Sequence, residues 1–509
     1  MTLASLPSPR AGFLPAAFLG RVVALGVFAW CVATSRADEF DTLRQKWVDM
    51  QTGGSAYNLA DPAIAAAVAS VTNSANSSWS SLNKAAGRTS LWSDAASTTI
   101  SADLNTNYSR LRSMALAYAT TGSALQGNSA LRDDIISGLD WMYANRYNEN
   151  VRIYDNWWHF EIGCPLALVD LAALLYADLG PSRLSNYMRT VEKFTPSATT
   201  PATGGSTGTF TGANRMWKIQ VVAIRGLVVK DDAKLRAARD AFSNLFLYVT
   251  SSDGFYVDGS FVQHGKHPYT GGYGASLLSN ISQVLALLNG PNAVSATGSS
   301  WQVTDPNLAN VTQWVYQSYE PLIYRGGMMA MTQGREASRS GSSEHATGHG
   351  IMQSILRISQ FAAPADRLRM RAMLKSWAES DTSRSFVGSV PLPLKVDAQQ
   401  LLSDPTLVAR EELTGNFVFG SMDRVVHLGL GFGLGLSLSS TRIYTYESIN
   451  GENLRGWYTG DGMTYLYNAD LTQFTDNFWP TVNARRLPGT TVDAAQTRAN
   501  GSGQSTANP

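Results

Sequence analysis

Cysteine is nearly missing from this sequence: Cys31 and Cys164 are the only two in 509 residues. Once an N-terminal leader is removed only Cys164 is left, so no internal disulfide can brace the mature chain. Charge is sparse as well. Charged residues make up 16%, and 40 Lys+Arg against 39 Asp+Glu leave a net charge of +1. Bulk electrostatic attraction to nucleic acid or to a membrane surface is thereby excluded. A polyanionic ligand would have to be held by a local basic cleft. Histidine occurs only six times, so each one placed in a loop carries weight. No apolar run is long enough to cross a bilayer, and no short-period repeat argues for a solenoid.

What is present is a core and a surplus of rings. Hydrophobic residues reach 44%, with 13 Trp and 20 Tyr. The chain can fill two or three domains, and exposed indoles are a common means of holding sugar rings, although large helical cores also use Trp freely. At the N-terminus Arg10 and Arg21 precede the apolar run from Val22 to Ala33, and Ser35-Arg36-Ala37 supplies small residues where a signal peptidase reads. Residues 1–37 therefore read as an export signal, giving a secreted protein. Trp30 before Cys31 argues against lipid modification.

From 38 to 385 the periodicity is helical. Leu111, Met114, Ala115 and Tyr118 share one face, as do Leu168, Leu171, Ala172, Leu175 and Leu179, a stripe entered through Pro165 and stopped by Gly180-Pro181. Leu277, Leu278, Ile281, Val284, Leu285 and Leu288 form a third stripe, ended by Gly290-Pro291. Many antiparallel helices joined by Gly/Ser/Thr-rich loops predict an incomplete α/α toroid. After about Pro391 the pattern changes. Asn416–Met422, Val425–Leu430, Leu434–Ser439 and Arg442–Tyr446 alternate like strands of an antiparallel sheet. Residues 391–492 are thus expected to form a partial β-sandwich, and 493–509 a disordered polar tail.

Polar and aromatic groups gather where loops meet helices. Asn156-Trp157-Trp158-His159 precedes a buried helix, and two adjacent indoles cannot both enter one core from a helix. Thr211-Gly212-Ala213-Asn214-Arg215 opens another helix, where Asn214 also suits a simple N-cap. Asp258 to Gly274 is a long glycine-bounded loop carrying His264 and Tyr273, and a histidine in such a loop has little core to satisfy it. Gly334-Arg335-Glu336-Ala337-Ser338-Arg339 puts two arginines on one side whether it is helical or extended, and either could also be a surface ion pair.

Together with Glu447-Ser448-Ile449-Asn450-Gly451-Glu452-Asn453, Gly456-Trp457-Tyr458-Thr459-Gly460-Asp461-Gly462 and Phe478-Trp479-Pro480-Thr481-Val482, these segments resemble polysaccharide lyase family 8, the hyaluronate, chondroitin AC and xanthan lyases. The resemblance runs over nearly the whole chain after the leader. It implies β-elimination on an acidic, uronate-containing polysaccharide, a glycosaminoglycan being favoured over xanthan, with no metal and no redox cofactor, by a monomer that binds neither nucleic acid nor membrane. Asn214 and His264 match the residues that neutralise the uronate carboxylate. Tyr273 matches the proton-transfer tyrosine, Arg335 the arginine beside it, and Arg339 a second cation toward substrate. Either Tyr273 or His264 can serve as the base. Trp157 and Trp158 match an aromatic patch, and Glu447 and Asn450 a supporting polar pair for which Glu452 competes.

Family members continue through a larger β-sandwich, so this chain is expected to carry only its opening strands, leaving an apolar face uncovered and the wall around Glu447 and Asn450 incomplete. Two rivals follow. A toroidal glycoside hydrolase needs two carboxylates about the bond, and here Asp258 and Glu161 are the convenient acids. An inactive glycan-binding protein is the other.

Overall fold

The computed structural model describes residues 38–492, apart from Pro291, Thr297, Ser340, Ser342 and Asp476. The expected signal segment and polar tail lie outside the described residues. Helices dominate the first part: α1 Glu39–Thr52, α2 Pro62–Ser80, α3 Ala102–Ala119, α4 Ser129–Asn145, α5 Cys164–Leu174, α6 Tyr176–Phe194, α7 Gly212–Val229 and α8 Asp232–Asp240. A small antiparallel sheet follows, β1 Gly254–Phe255, β2 Phe261–Gln263 and β3 His267–Pro268. Then come α9 Tyr273–Leu288, α10 Ala309–Trp314, a hairpin of β4 Ile323–Tyr324 and β5 Gly327–Met328, α11 Glu344–Ser359, α12 Pro364–Ser380, α13 Phe386–Ser389 and α14 Leu392–Ser403. The last part holds β6 Gly415–Phe419, β7 Arg424–Gly429, β8 Phe432–Ser437, β9 Met463–Tyr467 and the short α15 Phe478–Thr481.

Local chemistry sets the helix ends. Asp61 accepts hydrogen bonds from the N–H groups of Ala63 and Ile64, with Pro62 in the first turn of α2. The stripe through Leu168 is divided: α5 ends at Leu174, and α6 is broken at Gly180, whose φ of 68° and ψ of 166° lie outside the helical region. The predicted stop at Gly180-Pro181 is therefore a kink that turns the chain into the rest of α6.

Packing follows an arc. Each of α3, α5, α7, α9 and α11 touches the next, with α2, α4, α6, α8 and α12 packed alongside, and α1 meets α3, α5, α7 and α9. This α/α toroid does not end at 385. Helix α14 touches α11 and α12 on one side and α1 and α2 on the other, so residues assigned to the β region belong to the helical ring.

The second sheet has order β6-β7-β8-β9, antiparallel throughout. Two strand expectations change. Arg442–Tyr446 is not a strand, because the Tyr444 N–H reaches out to the Lys266 carbonyl at 3.0 Å and the Ser440 N–H bonds the nearby Ile443 carbonyl. The fourth strand is β9, with Leu466 opposite Leu434. One face of the sheet, through Phe419, Val426, Leu428, Met463 and Tyr465, joins the same continuous core as the helices. The uncovered face is the opposite one, where Val418, Leu434 and Leu466 are 65%, 38% and 51% exposed. Replacing Leu434→Thr and Leu466→Thr together is expected to lower binding of a hydrophobic dye. Each change should shift unfolding stability by less than about 0.5 kcal/mol in urea titration, because no buried contact is lost. Among the described residues no helix is long and apolar enough to cross a membrane.

Candidate active site

A cleft of ≈ 940 Å³ lies between the helical ring and the segment that joins β8 to β9. Its lining includes Trp157, Trp158, Asn214, His264, Tyr273, Arg335, Arg339 and Asn450, so eight of the nine expected site residues converge. His159, Trp217 and Glu336 also line it.

Each group arrives on its own element. His264 sits at the tip of the β2–β3 hairpin with φ of 54°, followed by Gly265 at 78°. This tight left-handed turn is strained for a histidine. Asp253 pins it, accepting from the Gly265 N–H at 2.7 Å and from Gln263 Nε2 at 2.6 Å. Tyr273 is not on that loop, as expected from its glycines, but is the first residue of α9. Asn214 is the third residue of α7; Thr211 holds the cap position, so the capping role does not apply. The Asn214 amide oxygen is buried with no hydrogen-bond partner. The two arginines come from a tight helical turn over Gly334–Ser338 and its end.

One carboxylate organises the floor. Glu447, expected to bind substrate, has a side chain with 0% exposure and lies behind the cleft instead. Its Oε1 accepts the His264 Nδ1–H at 2.5 Å, and its Oε2 accepts Arg335 Nη1–H at 2.7 Å and the Tyr269 hydroxyl. Burial pushes the Glu447 carboxyl up, but the bond from His264 and the charges of His264 and Arg335 outweigh it and hold the group at about 2. Arg335 Nη2 donates to the Tyr273 hydroxyl at 3.3 Å, and the His264 and Tyr273 rings meet edge to face at 4.7 Å. Burial raises the Tyr273 phenol above its ordinary range, and Arg335 opposes this without reversing it.

Tyr269 was not singled out by its sequence context, yet it bonds both Glu447 and Arg335, accepting Arg335 Nη1–H at 3.1 Å. Glycine was the available signal. A Cβ on Gly272 would stand 2.6 Å from the Tyr269 ring, and one on Gly334, at φ of 56°, would stand 2.1 Å from it.

On the far wall, Trp158 meets Trp217 edge to face at 5.5 Å and Trp157 packs on Phe210 at 5.4 Å. Both indoles stay half-buried and border the cleft. Glu452 is a cleft residue but is engaged, taking Arg335 Nε–H at 2.6 Å and Arg339 Nε–H at 2.5 Å. Arg339 is accordingly paired rather than free. The two acids that the sequence offered a hydrolase, Glu161 and Asp258, do not line the cleft. Glu161 is fully buried against Lys218 at 2.7 Å, and Asp258 accepts the N–H groups of Ser260 and Ser421. Among the described residues the cleft carboxylates Asp155, Glu336 and Glu452 all have partners.

Comparison with known proteins gives a consistent result. Residues 47–376 match the model of the polysaccharide lyase family 8 N-terminal α-helical domain, and 414–508 that of the family's super-sandwich domain. The chain is 45% identical over 459 residues to a xanthan lyase of Bacillus sp. (strain GL1), covering 90% of this chain and 47% of the relative. It is 37% identical over 460 residues to a hyaluronate lyase of Thermasporomyces composti, covering 90% and 57%. The structure of Streptomyces coelicolor A3 chondroitin AC lyase in complex with chondroitin sulphate superposes with a TM-score of 0.83 at 36% identity, over 91% of this chain and 62% of that one. The chain thus spans about half the length of the curated relatives it matches.

Proposed function

This chain belongs to polysaccharide lyase family 8, and from that premise we propose that it cleaves uronate-bearing polysaccharides by β-elimination. The observation that carries the proposal is the convergence at one cleft of His264 and Arg335 on buried Glu447, with the Tyr273 hydroxyl bonded to Arg335. Because Glu447 takes the Nδ1–H, neutral His264 keeps its lone pair on Nε2, the nitrogen of a general base. Because burial holds the Tyr273 phenol up, that hydroxyl rests protonated, as a general acid requires.

In this reading His264 Nε2 removes the C5 proton of the uronate. Tyr273 gives its proton to the glycosidic oxygen as the C4–O bond breaks and a C4=C5 double bond forms, conjugated with the carboxyl group. Arg335, 3.3 Å from the phenolic oxygen, stabilises the tyrosinate left behind. Proton return from His264 to Tyr273 across adjoining rings restores both groups. Asn214 lines the cleft, and its amide N–H groups are the donors that would bind the uronate carboxylate. Trp157 and Trp158 offer apolar faces to sugar rings.

The polymer we propose is xanthan, supported by the higher identity to a xanthan lyase. A glycosaminoglycan, the expectation from sequence, is the second reading, supported by the likeness to hyaluronate and chondroitin AC lyases. Export from the cell belongs to the same proposal and rests on the N-terminal pattern alone. Incubation with xanthan, hyaluronan and chondroitin is the test. Products absorbing in the ultraviolet through the new conjugated double bond are expected, fastest from xanthan. Saturated sugars would indicate a hydrolase, and intact polymer a binding protein; either overturns the proposal.

A further inference from the structure

Away from the cleft, a second group of titratable side chains is buried that the proposed reaction does not use. His345 and His349 lie four residues apart, one turn along α11, and Asp381 follows the end of α12. Their side chains are 6%, 1% and 0% exposed. His345 Nδ1 and His349 Nε2 approach the same oxygen, Asp381 Oδ2, at 2.7 and 2.8 Å.

The outer hydrogen bonds decide what those inner atoms are. His345 Nε2 lies 3.0 Å from the Leu471 carbonyl, which can only accept, so that nitrogen carries a proton. His349 Nδ1 lies 2.7 Å from Ser389 Oγ, whose own hydrogen is given to the Phe386 carbonyl at 2.9 Å. The serine oxygen is therefore an acceptor, and Nδ1 also carries a proton. In neutral imidazoles both inner nitrogens are then lone pairs. Asp381 Oδ1 is held by the Ser383 N–H, the Ser383 hydroxyl and the Arg384 N–H, which fixes the carboxylate so that Oδ2 faces inward. Three electron-pair donors thus meet in a buried space where something positive must sit between them.

The surroundings are built for close approach. A Cβ on Gly326 would stand 2.6 Å from Asp381 Oδ2, and one on Gly348, between the two histidines, would stand 2.0 Å from the Gly326 carbonyl oxygen. Only glycine lets the β4–β5 turn seal the cluster. An outer N–H donated to a carbonyl or hydroxyl, with the inner nitrogen aimed at a shared point, is the arrangement that orients metal-bound histidines.

We propose that His345, His349 and Asp381 form a structural zinc site. Two imidazoles and one carboxylate suit zinc. Seating the ion requires the three ligand atoms to spread to roughly 3.3 Å from one another, given zinc–ligand bonds of about 2.0–2.1 Å. Through the Leu471 carbonyl the site ties α11 and α12 to the segment after β9. It is a brace for a chain whose one described cysteine, Cys164, is free.

The test uses the whole protein, expressed with added zinc and passed through a chelating resin. Metal analysis is expected to find about one zinc per chain, and His349→Gln to reduce this at least tenfold while the far-ultraviolet circular dichroism is kept. Stripped wild-type protein titrated with Co²⁺ should develop the visible absorption of a low-coordinate cobalt site, and zinc should raise its Tm by several degrees. Should His349→Gln fail to fold, the wild-type cobalt spectrum decides. Folded wild-type protein that retains no zinc, gives no cobalt band and shows no Tm change would mean that protons alone fill the cluster, and the proposal fails.

Discussion

Tyr273→Phe is expected to lower kcat by at least about 10³-fold while KM stays within about threefold. Loss of a positioned acid commonly costs 10²–10⁴ in rate, and here the proton has no alternative donor at the same place. The hydroxyl faces Arg335 at 3.3 Å and the His264 ring packs against its own ring at 4.7 Å. Removing one oxygen leaves the ring contacts with His264, Tyr269 and Trp217 in place, so substrate binding should survive. Stability should change little, since the hydroxyl's partner Arg335 keeps Glu447 and Glu452. The measurement is steady-state kinetics on the product absorbance, with circular dichroism as the folding control. Activity within a few-fold of wild type would remove Tyr273 from the reaction.

The same residue shows what a sequence can reveal here. Tyr273 and His264 stand out because glycine-rich, polar segments in a helical protein have little structural reason to hold rings. Helical stripes such as Leu277 to Leu288 are legible because burial on one face imposes their spacing, and all six of those leucine, isoleucine and valine positions are in the core. Helix α14 was hidden by its own start. Pro391 read as an end to helical structure, yet it is the residue just before α14, and the helix tolerates Pro393 in its first turn, where the missing N–H costs nothing. Strand β9 was hidden by distance, since an irregular segment of more than twenty residues separates it from its partner β8. Arg442–Tyr446 shows the converse error: alternation was present, but its hydrogen bonds go to the hairpin bearing His264 rather than to the sheet. Glu447 was visible as a polar residue near the site, while its role was not. Burial behind three different side chains is a property of the fold.

That burial makes Glu447→Gln the second large effect. The side chain is fully enclosed and takes donors at both oxygens, from His264 on one and from Arg335 and Tyr269 on the other. A glutamine offers one acceptor and one donor, so its amide N–H₂ must face either His264 Nδ1–H or the Arg335 guanidinium. Removing one partner of a buried ion pair costs about 3–5 kcal/mol, and the lower end applies here because Arg335 keeps Glu452. The sign of the pH dependence follows from the lowered carboxyl. Its folded value of about 2 lies below the ordinary 4.5, so its contribution is fully present above pH 4.5 and is lost as pH falls toward 2. The shift corresponds to roughly 3 kcal/mol. Wild-type stability from urea titration should therefore fall across that window, and the variant should lack this part of the slope. The variant should also lose about 10²–10⁴ in kcat with a smaller change in KM, because His264 loses the partner that fixes its Nδ1–H tautomer. Glu447 is in this sense a positioning residue, acting through His264 and Arg335. A variant that is destabilised yet keeps kcat would show that the carboxylate only holds the fold together.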